Sequence, residues 1–527
     1  MTLHKQIFAV VLLALFLRVL NFSFPAFTGE EASIAFRGHT LSMGVDELGR
    51  SFPYLFNSQY DYRLPLTSYV SALGAIFFGK SELAARIPFI IIGLVLVLLT
   101  YKVSTQLSAK KSFHIFSTFI VATSPVLIFA SKVPNESIIA TTLLLLLFYL
   151  LNKDRLNLVL IFLTIIFLIS TSKFAWFILA PFVIYTVFIY RNTLNLRDKL
   201  KLSLISLTFA ILAFAFFLQI PQGTRSLSEN NLSLFSDITI TNGINRIRGQ
   251  GRESGWPPIL GKMLVNKSHF FAAGSLHWLS NMQPAVFFSQ FDENANLSFA
   301  GMGAFPKITI IPAIIGILFL IRIKSSKFLL YPFLIALPSA LVYPQFSPEI
   351  VILTLPFVAY IIAFGFLRIN RIFRGLILTL MMLELFINFL FLFPQVKLTN
   401  DFRPEWIKPI VREAFNLSDT AQVFISDDIT WDITSFIEWY TPFNPEDAFL
   451  DIPYPYKFRQ TNLGKIKLVG ASDSFRSCGL GENSKFFSSK RDLDRAKDLN
   501  SIQATSTYLN SRKEVAVYFI EKGVCIN

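Results

Sequence analysis

The sequence predicts a polytopic α-helical membrane protein carrying a C-terminal α/β or α+β domain outside the bilayer. Three observations predict it. Of 527 residues, 53% are hydrophobic and only 16% charged, and the mean hydropathy is +0.53, more apolar surface than one water-facing globule can hide. Apolar runs of membrane-spanning length follow one another as far as residue 393, where the composition turns polar. The formal charge of +14 sits wholly in the apolar part. Residues 394–527 hold 17 of the 48 Lys and Arg and 18 of the 34 Asp and Glu, which leaves 31 basic against 16 acidic residues among the apolar segments. That placement fits the positive-inside rule and gives no nucleic-acid footprint.

The spans are expected at 5–24, 87–103, 113–130, 137–152, 156–171, 174–190, 202–219, 307–322, 328–343, 350–367 and 373–393, about eleven transmembrane helices in all. The first run resembles a signal peptide in length, but further apolar runs follow it, so a retained span is expected. Leu66 to Phe78 is too short to cross and contains Gly74, so it is expected as a juxtamembrane or re-entrant helix. Charge decides the sides. With a cytoplasmic N-terminus the inner loops hold sixteen cations, from Lys5 to Arg374, opposed by Asp154 and Asp198 alone. An added crossing at Leu66 would reverse every later loop and lose this asymmetry. The C-terminal part is then extracytoplasmic.

The predicted organisation is a membrane module at 1–393, with outer loops 25–86 and 220–306, and a soluble domain at 394–527. Long outer loops of this kind carry function when they are ordered. Both are expected to lay short amphipathic helices on the membrane surface. The tail alternates β-rich runs, Gln422 to Ile425 and Val515 to Ile520, with helix-compatible stretches such as Pro404 to Phe415. Cys478 and Cys525, the only cysteines, either close the tail with a disulfide or stay apart, and no cysteine-built zinc site or CxxC pair exists. GxxxxGK[ST], HExxH and GxSxG are absent, which leaves ATP use, zinc proteolysis and serine hydrolysis without support.

The chemistry concentrates in the first outer loop, FPAFTGEEASIAFRGHTLSMGVDELGRSFPYLFNSQYDYRLPLTSYV from Phe24. Glu30 and Glu31 stand just after the first span, where partial desolvation raises a carboxylate's basicity and suits it to general-base work. A solvated helix start accounts for the pair equally well, since the dipole favours Glu in a first turn. Glu136, beside Lys132 in SKVPNES, falls on the same predicted side and has the same two readings. Arg63, Arg86 and Lys132 add cations there. Fixed Arg and Lys donors stabilise the charge that builds on a departing lipid phosphate, although headgroup contact explains many boundary cations. Arg18 and Glu384 lie inside predicted spans as buried functional charges or interface-reaching ones. Five His in all make a histidine-rich metal centre implausible.

In order, FPAFTGEEA, GVDELGRSFPYLF, YRLPL and FFGKSELAARIP resemble the first outer loop of glycosyltransferase family 39, which includes protein O-mannosyltransferases and aminoarabinose lipid A transferases. Glu30-Glu31 matches the family's Asp-Glu pair, Arg63-Leu64-Pro65-Leu66 its Lys- or His-Pro-Pro-Leu motif, Arg86 the arginine opening the next span, and Ser131-Lys132 with Glu136 its second acidic site. The likeness is strong over 10–140, weaker over 220–330 and absent from the tail. It implies a C-type glycosyltransferase fold and an inverting transfer of sugar from a polyprenyl-phosphate carrier to a protein hydroxyl, lipid or cell-envelope glycan. Glu30, Glu31 and Glu136 would be catalytic, with Arg63, Arg86 and Lys132 on the phosphate. Tyr54, Tyr60, Tyr62, Asn266, Lys267 and His277 would contact sugar or acceptor. No cofactor is fixed by it, and a divalent cation is the one candidate. Two positions depart from the family: Glu30 replaces its catalytic Asp, and Arg63 its Lys or His, so either Glu30 or Glu31 serves as base. An O-antigen ligase or polymerase shares the lipid donor, and a lipid-linked sugar transporter or flippase is the reading from another class.

Overall fold

The computed structural model describes the chain from Leu3 to Glu521, apart from short connections and the longer stretches 220–233, 389–402, 443–459, 470–483 and 494–504. It divides into two compact units, one of Met1–Leu20, Tyr60–Leu66 and Phe89–Leu390, the other of Asn21–Gln59, Thr67–Pro88 and Phe391–Asn527.

The first unit is helical. Each of the eleven apolar runs is helical over most of its described length, for example Leu3–Val19, Glu136–Leu151, Ile310–Arg322 and Arg371–Ile387. Among the described residues, three helices are both long and apolar enough to cross a membrane: Glu82–Leu107, Lys173–Tyr190 and Pro348–Phe366. Several others are shorter or interrupted, whereas Leu196–Gln219, of 24 residues, opens on a charged stretch, Arg197 to Lys201. A 12-residue helix such as Leu158–Ile169 reaches only about 18 Å, against about 30 Å of hydrocarbon. The run 113–130 breaks at Ser124-Pro125 into Lys111–Thr123 and Pro125–Ala130, because proline cannot continue the hydrogen-bond ladder. Ser124 restarts it, its Oγ accepting Leu127 N at 3.4 Å.

Pro348–Phe366 is 89% buried over its apolar window, against 61% for Glu82–Leu107 and 56% for Lys173–Tyr190. A helix apolar all round and buried all round belongs at the centre of its bundle. Glycines allow its closest approach: a Cβ on Gly365 would lie 1.8 Å from Pro312 O, and one on Gly316 2.0 Å from Ile361 O. Two buried hydroxyls of Glu136–Leu151 are satisfied within their own helix, Thr141 to Ser137 O at 2.7 Å and Thr142 to Ile138 O at 2.8 Å. Between residues 220 and 306, Ile238–Glu253 carries Arg246, Arg248 and Arg252, and Asn266–Ser280 exposes Phe271, Leu276 and Leu279.

The second unit contains a six-stranded mixed sheet. Its strands are β1 Gln422–Ser426, β2 Gln460–Leu463, β3 Ile466–Val469, β4 Ser484–Ser488, β5 Ser506–Leu509 and β6 Val515–Glu521. Their spatial order is β2-β3-β1-β4-β6-β5, with β1 parallel to both β3 and β4 and the outer pairings antiparallel. The helix Ile407–Leu417 buries Ile407, Ile410, Val411 and Ala414, one stripe at 3.6-residue spacing, and Ile433–Tyr440 buries Ile433, Phe436 and Ile437. These join Val423, Ile425, Ile466, Leu468, Phe487 and Phe519 in one core. Phe27, Ala32, Ala35, Phe36 and Ala85, from residues 25–86, belong to that same core, so the helix Gly29–Ser42 packs into protein rather than lying as the surface helix expected of this segment. Cys478 and Cys525 lie outside the described residues.

Candidate functional site

Glu30 and Glu31 stand on the helix Gly29–Ser42. Thr28 caps it. Thr28 Oγ1 accepts Glu31 N at 3.2 Å while Glu31 Oε2 accepts Thr28 N at 3.2 Å, a reciprocal capping box that satisfies two otherwise orphaned backbone donors. The two neighbouring carboxylates are thereby separated in environment. Glu30 is exposed, whereas Glu31 is 4% exposed.

Glu31 is also held by Arg403. The guanidinium donates from Nη1 to Oε2 at 2.7 Å and from Nη2 to Oε1 at 2.6 Å, the two-pronged geometry that makes such pairs strong. Nη1 also donates to Ala26 O at 2.6 Å, tying the segment that leads into the helix. Both side chains are buried, so the charges compensate each other where water cannot.

Further charges pack in the same unit. Arg86 is buried, 4.0 Å from Glu82 and 4.7 Å from the Phe27 ring centroid, and Glu82 accepts Lys408 Nζ at 2.6 Å. Burial and the Glu82 charge push the Tyr440 phenol well up. Lys80 closes the end of Ile433–Tyr440, donating to Glu438 O at 2.9 Å and Thr441 O at 2.7 Å, with its ammonium 5.5 Å from the Phe36 ring and 5.8 Å from that of Trp439. Burial pulls that ammonium down to about 8, against the opposing pull of Glu438.

In the helical unit, SKVPNES forms a rigid corner. Ser131 Oγ donates to Leu127 O at 2.8 Å, Lys132 N to Phe129 O at 2.8 Å, and Asn135 caps the next helix by accepting Ile138 N at 3.1 Å. Lys132 is buried and its Nζ donates to Leu20 O. Glu136 is half-buried at the first position of Glu136–Leu151, where the helix dipole favours an anion. Arg18 is fully buried nearby. A Cβ on Gly93 would meet both Arg18 Nε at 2.9 Å and Ser131 Cβ at 2.5 Å, so only glycine leaves room for the guanidinium.

Of the residues singled out by sequence, Glu30, Glu31 and Arg86 therefore fall in one unit, and Lys132, Glu136, Asn266, Lys267 and His277 in the other. Tyr62 and Arg63 form a short extended segment whose side chains lie outside the description, as do Tyr54 and Tyr60 entirely. Asn266 opens the helix Asn266–Ser280 with Lys267 exposed beside it, and His277 is buried on it. Among the described residues no three His, Cys, Asp or Glu side chains gather into a metal-binding group. Sequence reasoning did not find Arg403, Lys80, Glu82 or Lys408. An arginine directly before Pro404 is the one local signal for the first, and nothing local links it to Glu31.

No family model matches the chain. A curated protein of Archaeoglobus fulgidus, dolichyl-phosphooligosaccharide-protein glycotransferase 2, is 33% identical over 113 residues, 20% of this chain and 19% of that protein. The match thus spans about a fifth of the relative's length. Among solved structures, the archaeal oligosaccharyltransferase AglB from Archaeoglobus fulgidus, in complex with an inhibitory peptide and a dolichol-phosphate, superposes with a TM-score of 0.48 at 13% identity, over 87% of this chain and 61% of that one. ArnT from Cupriavidus metallidurans bound to undecaprenyl phosphate gives a TM-score of 0.44 at 11% identity, over 97% of each chain. These membrane glycosyltransferases and the curated relative are what the chain is similar to.

Proposed function

We propose that the chain is an integral-membrane glycosyltransferase that moves a sugar from a polyprenyl-phosphate carrier to an acceptor on the extracytoplasmic face, with Glu30 as the general base. The observation that carries the reading is the division of labour in the acidic pair: a capped helix leaves Glu30 exposed on its first turn while Glu31 is committed to Arg403. A base must reach the proton it takes, and a carboxylate already locked in a buried ion pair cannot. The name of the curated relative, which pairs a dolichyl-linked oligosaccharide with a protein acceptor, supports the donor class and favours protein among the acceptors.

In this mechanism Glu30 takes the proton of the acceptor hydroxyl as its oxygen attacks the anomeric carbon. The bond from that carbon to the phosphate oxygen breaks with its electron pair leaving on the phosphate, and the configuration inverts. Arg63, Arg86 and Lys132 stabilise the departing phosphate, and Glu136 holds acceptor or a divalent cation. Tyr54, Tyr60, Tyr62, Asn266, Lys267 and His277 line the path of sugar and acceptor. The membrane part crosses about eleven times, with the N-terminus cytoplasmic and residues 394–527 outside.

The test is transfer by the purified full-length chain in lipid nanodiscs, with undecaprenyl- and dolichyl-phosphate-linked mannose, glucose and arabinose as donors and membrane protein extract as acceptor. Glu30→Gln is expected to lower turnover by about 10²–10⁴-fold. Full turnover in that variant removes Glu30 from the role. Repeating the assay with chelator decides the need for a divalent cation, and flipping of the donor without loss of its sugar identifies a flippase instead.

A further inference from the structure

Resting on the assignment of Glu30 as base, we propose that Arg403, in the C-terminal part of the chain, is a positioning residue for the transfer, fixing the turn that presents Glu30 by clamping Glu31 and the Ala26 carbonyl. The C-terminal part is then a working portion of the catalytic apparatus rather than a cap or a selector of acceptors.

Three features of the clamp support this. It is anchored at both ends of the turn, because one guanidinium nitrogen, Nη1, serves Ala26 O before the helix and Glu31 Oε2 within it. The turn between them contains Thr28, the cap, and Glu30, the exposed carboxylate. Arg403 is itself stiffly mounted. It precedes Pro404, which restricts its backbone, and Pro404 O accepts Ile407 N at 3.0 Å at the start of the helix whose Ile407, Ile410 and Val411 are fully buried in the core. Finally, the capping box alone gives Glu31 one backbone donor, at 3.2 Å. Two shorter charge-assisted bonds from Arg403 carry the rest of its compensation. A buried carboxylate deprived of them turns toward water or takes up a proton, and either change slackens the first turn of the helix. A misplacement of about 1 Å at a reacting group costs about 10²-fold in rate.

A second contact of the same chemical type marks what the clamp is not. Asp46 and Arg50 also pair, at 2.6 Å, but four residues apart within one loop and with Arg50 44% exposed, where solvent screens the attraction.

The experiment compares full-length wild type, Arg403→Gln, Arg403→Lys and Glu30→Gln in nanodiscs of phosphatidylethanolamine and phosphatidylglycerol, using the undecaprenyl- and dolichyl-phosphate sugars above and hydrogen exchange of the amides from Thr28 to Ile34. Arg403→Gln is expected to lower kcat by about 10–10²-fold with donor KM within about twofold, Arg403→Lys to recover part of the loss, and the amides to exchange at least about tenfold faster in Arg403→Gln. Wild-type kcat in Arg403→Gln, or a raised KM at unchanged kcat, overturns the positioning role. So does unchanged exchange, whatever the donor. If Arg403→Gln fails to give a monodisperse species, Glu31→Gln replaces it, keeping the cap while weakening the clamp. Lower kcat at constant KM then supports the role and unchanged kcat refutes it. The two readings fail separately. An inactive Glu30→Gln beside a fully active Arg403→Gln removes only the positioning role, whereas an active Glu30→Gln removes the base.

Discussion

The two units compensate their buried cations by different means. In the helical unit Arg18, fully buried, donates to the carbonyls of Ala14 at 3.1 Å and Ala122 at 3.2 Å, and Lys132 donates to Leu20 O. In the other unit carbonyls also serve, Ala26 O for Arg403 and Glu438 O and Thr441 O for Lys80, but the buried Arg403 adds the Glu31 carboxylate and the partly exposed Lys408 takes that of Glu82. The physical reason lies in what each environment supplies. A helix interrupted at Ser124-Pro125 leaves carbonyls without intrahelical donors, and a cation can use those dipoles without bringing an anion into an apolar bundle. A mixed sheet beside a polar loop has carboxylates to hand, and pairs them. The difference teaches where chemistry can reside: pairing with Arg403 keeps Glu31 in the core while its neighbour Glu30 stays exposed on the same helical turn.

The contrast breaks most readily at the ion pair. Arg403→Gln is expected to destabilise its unit by about 3–5 kcal/mol, because it strands the Glu31 charge, whereas Glu31→Gln combined with Arg403→Met is expected to cost clearly less. Thermal unfolding in detergent measures both, and equal losses would mean that shape rather than charge matters there. The helical unit should yield instead to close packing. Gly365→Ala puts a methyl group against Pro312 O and is expected to cost about 1–3 kcal/mol, while Gly375→Ala, with open space around it, is expected to gain about 0.4–1 kcal/mol. Similar effects at the two sites would refute the close-contact explanation.

An effect of similarly small size is a pH dependence at Lys80. Its folded value, about 8, lies below the ordinary 10.5, so between those limits the unfolded chain binds the additional proton. Stability of that unit is therefore expected to rise with pH from about 8 to about 10.5, by about 1 kcal/mol once residual solvent exposure is allowed for. Below that window the stabilisation is absent. Lys80→Met should flatten the slope, and a slope unchanged by the substitution would assign it to other groups.

Much of the helical unit is legible in the sequence because hydropathy is a local property. The runs at 137–152 and 350–367 are read directly from their composition and appear as Glu136–Leu151 and Pro348–Phe366. Their lengths are less legible, since Pro125 and the 3₁₀ turns of 326–341 interrupt runs that hydropathy alone reads as continuous. In the tail, β1 and β6 were visible as β-rich runs. Their pairing was not, since β1 lies between β3 and β4, both later in the chain. At the site, Glu30 and Glu31 stand out as a carboxylate pair, but adjacent residues of identical type carry no local sign of which is buried.

By itself, then, the sequence determined that most of this chain is apolar helix, that its charge is segregated, and that Glu30, Glu31, Lys132 and Glu136 each lie near a helix end. Only the tertiary structure decided that residues 21–59 and 67–88 share a core with 391–527, that Glu31 rather than Glu30 is buried, and that Arg403 holds it. Helix formation and capping depend on neighbours within a turn, so the chain spells them out locally. An ion pair spanning 372 residues depends on which surfaces the fold buries together, and no local pattern encodes that.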